Sequence, residues 1–218
     1  MPYDAQITLR APHFQEQHKA VTLCAQSIPE GYTLYVKEHP HAKGAIPLGW
    51  LERMVSSPNV KLVDPDINAH KMIANSQCII TINSDVGWEA LLHYKPVVVL
   101  ANPFYGHLGL TFDVDCFRYS GVSRVTYDEK SETRLPATIR EALAQERTDE
   151  EKVIRLVNAV MKSLYPGFFY KRRGEFNTDV SNAENIVDSM LKEYSKLEEV
   201  DHLKSIDYAI PPATAFVF

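Results

Sequence analysis

Between Tyr32 and Leu100 short apolar runs at strand spacing alternate without exception with runs at helical spacing. No other feature constrains the fold as tightly. Strands that alternate with helices can bury both faces only by lying parallel, joined by right-handed crossovers. The pattern predicts a helix over Glu16–Ser27, closed by Pro29 and Gly31, and a strand over Tyr32–Lys37. A helix over Leu48–Val55, a strand over Val60–Val63 and a helix over Asn68–Asn75, with Asn68 as its cap, come next. Cys78–Ile82 then reads as a buried strand, Val86–Tyr94 as a helix and Val97–Leu100 as a β-branched strand. The opening segment Asp4–Arg10 also shows strand-like alternation. Starting so abruptly, it is expected to lie inside a larger protein.

Beyond Leu100 the pattern loosens. Residues 103–130 are rich in Gly, Asp and aromatics, with room for two short strands near Cys116–Tyr119 and Arg124–Tyr127. Helical spacing returns over Pro136–Gln145, Asp149–Leu164 and Ala183–Leu197. An aromatic and basic loop, Pro166–Phe176, separates the last two, and an apolar, proline-containing tail runs over Ile206–Phe218. The expected organisation is one α/β core over residues 1–165, with a helical C-terminal extension over 166–218.

Charge and composition exclude several functions. A formal net charge of −5 leaves no dominant basic stripe for a nucleic-acid duplex. The longest apolar run, Pro96–Ala101, is far too short to span a bilayer. Cys24, Cys78 and Cys116 are odd in number, lack C-x-x-C spacing and sit in apolar contexts, so they read as reduced core thiols of a cytoplasmic protein rather than a disulfide or zinc framework. No charged-then-apolar leader opens the sequence, so no secretion signal is expected. The dinucleotide, P-loop, nucleophile-elbow and zincin signatures are all missing. The cluster Phe168-Phe-Tyr-Lys-Arg-Arg173 has the character of a membrane-surface or nucleic-acid contact, but in an acidic chain with a single short cluster a structural loop or domain contact is the favoured reading.

In open parallel sheets ligands bind beyond the carboxyl ends of the strands. Three such ends carry chemistry here: Tyr35-Val-Lys-Glu-His-Pro40, Thr81-Ile-Asn-Ser-Asp-Val-Gly-Trp-Glu-Ala90 and Lys95-Pro-Val-Val-Val-Leu100. Ser84 stands between a strand and a helix, where its hydroxyl and the first helical amides can donate to a phosphate; equally, it can simply cap the helix. Asp85 in the first turn would satisfy the same dipole and repel an anion unless it points aside. Gly87 admits either a ligand or a close packing partner. Glu89, one turn beyond Asp85, can accept from sugar hydroxyls or face water. His39, pinned by Pro40 after a strand, can donate to a phosphate or act as a general acid. Only one of Lys37 and Glu38 can share its side of the strand. Asn102, Tyr105 and His107 form a polar-aromatic turn, with Tyr105 placed to stack on a base or to pack within its loop.

Taken together, Asp4-Ala-Gln-Ile-Thr-Leu-Arg10, Leu34-Tyr-Val-Lys-Glu-His-Pro40, Ile82-Asn-Ser-Asp-Val-Gly-Trp-Glu-Ala-Leu91, Lys95-Pro-Val97 and Asn102-Pro-Phe-Tyr105 resemble the capsule polysaccharide biosynthesis family, which includes bacterial Kdo transferases. The resemblance covers roughly residues 4 to 130. It implies a GT-B glycosyltransferase, in which two Rossmann-like halves face each other and the C-terminal half holds the nucleotide sugar. This chain would be that half: a Rossmann-like parallel sheet flanked by helices.

The site implied comprises His39 as the catalytic donor, with Lys37, Ser84, Asp85, Gly87, Glu89, Asn102 and Tyr105 around the nucleotide. A CMP-activated sugar is the favoured donor, and neither a metal nor a further cofactor is expected. The expected partners are a glycan acceptor and an N-terminal GT-B half, with no nucleic acid. The location expected is cytoplasmic, with peripheral association at the inner face of the membrane. Rival readings are a glycan- or protein-binding domain with a vestigial nucleotide pocket, and half of a polyol-phosphate transferase or sugar-nucleotide epimerase.

Overall fold

The structure is a computed structural model that describes residues 3–120, 124–168, 170–172, 175–176 and 178–198. The chain divides into two compact units, residues 1–156 and 157–218.

In the first unit, α1 (Ala5–Arg10) and α2 (His18–Ser27) precede β1 (Leu34–Lys37), α3 (Leu48–Val55), β2 (Val60–Val63), α4 (Ala69–Asn75), β3 (Ile79–Thr81), α5 (Asp85–Leu92) and β4 (Val97–Val99). This is the α/β alternation that the sequence predicts. The strands are parallel, but the ladder is hydrogen-bonded in two pieces: β1 pairs with β2 from Leu34↔Val60 to Lys37↔Val63, and β3 pairs with β4. A further strand, β5 (Phe112–Asp113), adds to β4 in parallel.

Leu34 of β1 and Ile80 of β3 pack into the same core as Val98 of β4, so the two pieces share one apolar interior. Every residue of β4 is fully buried, as expected of a Val-Val-Val run covered on both faces. Over it lies α6 (Leu135–Ala144), started by a proline in its first turn and burying Leu135, Ile139 and Ala142. Ala20 and Cys24 of α2 complete this layer. Burial of a Leu or Ile side chain contributes about 1.5–3 kcal/mol.

Several expectations need correction. Asp4–Arg10 is not a strand. Asp4 caps α1 by accepting the Gln6 amide at 2.9 Å, and Thr8 Oγ1 donates to the Asp4 carbonyl. Ile7 is buried while Leu9 is 69% exposed, so the alternation never had a common face to bury. Alternation over so few residues cannot separate the two periods. The helix expected to reach Tyr94 stops at Leu92, because Tyr94 takes a left-handed conformation (φ 57°) that ends it. The two short strands expected after Cys116 are present as an antiparallel hairpin, β6 (Phe117–Ser120) and β7 (Arg124–Tyr127). The two-residue β5 carries too short a pattern to be read.

The second unit takes in the end of α7 (Glu150–Ser163), the strands β8 (Tyr170–Arg172) and β9 (Glu175–Phe176), and α8 (Val180–Glu198). Residues 166–176, expected as a loop, thus contain an antiparallel pairing. Asn182 is buried and clamps Phe168 by accepting from its amide and donating to its carbonyl, both at 2.9 Å. The tail over 206–218 lies outside the described residues. Among the described residues no helix is long and apolar enough to cross a membrane. Cys24, Cys78 and Cys116 are free, and burial pushes each thiol up to about 12, well away from reactivity at neutral pH.

Candidate functional site

The turn from β3 into α5 is the most heavily fixed part of the rim. Thr81, buried at the end of β3, accepts the Ser84 amide on its Oγ1 at 3.1 Å. Asn83 is also buried, and its side-chain amide donates to the Gln6 carbonyl of α1 at 3.0 Å. Between these anchors Ser84 is left exposed. Its Oγ accepts the Val86 amide at 3.4 Å and its carbonyl accepts the Gly87 amide at 3.1 Å.

Capping therefore takes two first-turn amides that the sequence reading had offered to an anion. What Ser84 retains for a ligand is its hydroxyl proton and the positive end of α5. Asp85 is exposed beside it, in the first turn, and Glu89 is half-buried one turn further on.

Tyr105 holds this turn from below. Its ring is fully buried and its hydroxyl donates to the Ser84 carbonyl at 2.5 Å. An added Cβ on Gly87 would lie 2.2 Å from the Tyr105 hydroxyl oxygen and 2.8 Å from Cζ. Gly87 is thus a notch for Tyr105, the packing alternative of its two readings. Tyr105 correspondingly has no free ring face for a base. Burial pushes its hydroxyl well above the usual phenol range, with the charges of Asp85 and Asp113 adding to the effect, so it acts as a neutral donor.

Asp113 closes the loop from the other side, accepting from Thr111 Oγ1 at 2.9 Å and from the His107 amide at 3.2 Å. His107 also lies 3.3 Å from Asp115. Asn102 and Phe104 are exposed on the same loop, and the Phe104 ring packs against both Trp88 and Tyr105.

The His39 turn is built differently. His39 lies two residues beyond β1 and is exposed; its carbonyl accepts the Ala42 amide at 2.8 Å, closing the 3₁₀ turn that Pro40 begins. Lys37 is occupied: its ammonium donates to the Pro65 carbonyl at 2.7 Å and to the Glu38 carbonyl at 3.2 Å, tying the end of β1 to the turn after β2. Ser84, Asp85, Gly87, Glu89 and Tyr105 are thus gathered around one helix start, whereas Lys37 and His39 belong to a separate turn after another parallel strand.

Sequence reasoning missed Thr81, Asn83 and Asp113 as supports. The Asn83–Gln6 bond joins residues 77 positions apart and leaves no local signal.

A cavity of about 340 Å³ lies elsewhere in the first unit, lined by residues that include His13, His18, Gln26 and Tyr127, and none of the sequence-predicted site residues borders it. Among the described residues no cluster of three or more His, Cys, Asp or Glu side chains could hold a metal ion.

The family model described as "Capsule polysaccharide biosynthesis protein" matches residues 2–142, about two thirds of the chain. Protein FixF of Sinorhizobium fredii is 32% identical over 108 residues, 48% of this chain and 25% of FixF. The capsule polysaccharide modification protein LipA of Neisseria meningitidis serogroup B is 28% identical over 101 residues, 46% of this chain and 14% of LipA. The chain therefore matches a quarter or less of the length of these relatives. Among solved structures, the β-Kdo 2,7 transferase KpsC of Thermosulfurimonas dismutans superposes with a TM-score of 0.44 at 22% identity, covering 73% of this chain and 52% of that one. The family match spans the alternating strands and helices together with both rim turns, and on it the chain belongs to the capsule polysaccharide biosynthesis family.

Proposed function

We propose that this chain is the nucleotide-sugar-binding part of a glycosyltransferase that builds a capsule or other surface polysaccharide, with a CMP-activated sugar as donor. Family membership supports the biosynthetic context. The observation that carries the binding assignment is the β3–α5 turn, where Ser84 is exposed at the start of a helix while Thr81, Asn83 and Tyr105 fix the backbone around it. A hydroxyl held this way meets a phosphate oxygen without reorganising, which is how a binding site favours the leaving phosphate of a departing nucleotide. His39 would supply the second donor and protonate or bond that phosphate. Asp85 and Glu89 face sugar or ribose hydroxyls in this reading, since a carboxylate accepts from hydroxyls and repels phosphate.

The acceptor site and the catalytic base are assigned to an N-terminal GT-B half, outside these 218 residues. The setting proposed is the cytoplasmic side of the membrane, where activated sugars are made.

Calorimetric titration of the purified chain with CMP, CDP, UDP and GDP tests this reading. CMP is expected to bind selectively. Ser84→Ala and His39→Ala are each expected to weaken it about ten- to a hundredfold, the worth of a hydrogen bond to a charged group. No binding by any of the four nucleotides, or unchanged affinity in both variants, would overturn the assignment.

A further inference from the structure

At the opposite end of α5 from Ser84, two imidazoles face each other. His70, in the first turn of α4, and His93, the residue that caps α5, bring Nδ1 and Nε2 to 3.2 Å, with ring centroids 5.4 Å apart and planes inclined by 38°. Both rings are exposed. Two nitrogens bound to one ion at about 2.0–2.1 Å with a tetrahedral angle lie about 3.3–3.4 Å apart. The observed separation, a hydrogen bond in which one nitrogen carries the proton, is within about 0.2 Å of that span. With that proton moved to the far ring nitrogen, small rotations of two solvent-facing rings would aim both lone pairs at one point.

We propose that His70 and His93 form a two-histidine chelate for a borderline divalent ion of the zinc, nickel or copper class, with water completing its shell. The ligand type selects that class over magnesium and calcium, which prefer oxygen donors. The backbone at both positions is already fixed. Asn68 caps α4 by accepting the Lys71 amide, and the His93 amide donates to the Ala90 and Glu89 carbonyls at the end of α5. Metal binding thus needs side-chain rotation and a tautomer change, because the proton now shared between Nδ1 and Nε2 must move to the outer nitrogen of its own ring. Among the described residues no third His, Cys, Asp or Glu joins this pair, so the site is open and exchangeable rather than a closed structural centre. Its position makes it a brace: one ion would link α4 to α5, the helix whose other end carries the Ser84 turn.

The test is calorimetric titration of the chain with zinc, nickel and magnesium chlorides at pH 7.5, alongside thermal melts. Zinc and nickel are expected to bind with a component that raises the melting temperature, as any ligand selective for the folded state does, and magnesium to give no such component. His70→Ala and His93→Ala should each weaken that component at least tenfold while leaving the metal-free melt unchanged, because both rings are exposed. Parent-like zinc and nickel affinity in both variants, or no binding of either ion by the parent, would overturn the proposal. Nucleotide affinity is measured separately, so this test stands whichever way the Ser84 site falls.

Discussion

The two turns that carry the candidate site are anchored differently. The Ser84 turn is over-determined: Thr81 Oγ1, the Asn83–Gln6 bond and the Tyr105 hydroxyl fix its backbone from three sides, and Gly87 is notched to let Tyr105 reach it. At the His39 turn the Ala42 amide donates to the His39 carbonyl to close a 3₁₀ turn, and Lys37 ties the end of β1 to Pro65, with His39 exposed. In the proposed reading, a donor held like Ser84 suits a phosphate that must be met in one position. In that reading α5 sets geometry at one end, and the β1 turn supplies the second donor, His39.

Substitutions should separate the two turns, beginning with the strongest. Gly87→Ala drives a methyl into the Tyr105 ring, and overpacking of this kind costs about 1–3 kcal/mol. A chemical denaturation midpoint should fall accordingly and nucleotide binding should be lost; a variant as stable as the parent would show the notch to be loose. Tyr105→Phe keeps the ring and deletes one of two hydrogen bonds to the Ser84 carbonyl. It should cost about 1 kcal/mol, with affinity falling in step. His39→Ala is expected to weaken binding with a smaller loss of stability than Gly87→Ala, since His39 is exposed whereas Gly87 lies against the Tyr105 ring. If His39→Ala and Gly87→Ala instead unfold alike, the contrast between the turns fails.

Acid tests the flank of the fold that carries β1. His18 on α2 is buried beside Trp50 and lies 3.2 Å from the Arg53 guanidinium of α3. A guanidinium only donates, so His18 Nε2 accepts and the proton sits on Nδ1. Burial, with the Arg53 charge second, lowers the pKa of His18 below the ordinary 6.5. His13 is lowered too, by burial and then by Lys19. In both cases the unfolded chain binds the proton more readily. Stability should therefore be at its full value above pH 6.5 and decline as pH falls from there toward the lowered folded values. His18→Gln should flatten that decline, and an unchanged pH slope in the variant would rule out His18 as its source.

Much of the fold could be read from period alone. Leu48–Val55 and Val60–Val63 match the structure at both ends, and Asn68 caps α4 as its side chain predicts. Such elements are long enough, or punctuated clearly enough, for local chemistry to decide them. Asp4–Arg10 was misread because a short alternating run also fits one helical turn capped by Asp4, and only the burial of Ile7 without Leu9 separates the two.

At the site, Ser84 and His39 were legible as polar residues directly after strands. The role of Tyr105 was not: a tyrosine in an Asn-Pro-Phe-Tyr turn looks the same whether it stacks on a base or plugs a glycine notch 18 residues earlier. The supports Thr81, Asn83 and Asp113 act through contacts made only once the chain has folded.

The most direct test of the central claim is to follow backbone amide NMR resonances of the chain while adding CMP. Shifts concentrated at Ser84–Gly87 and around His39, with little change on α2, are expected. Shifts confined to the groove lined by His13, His18 and Gln26, or none at all, would contradict the placement of the nucleotide on these two turns.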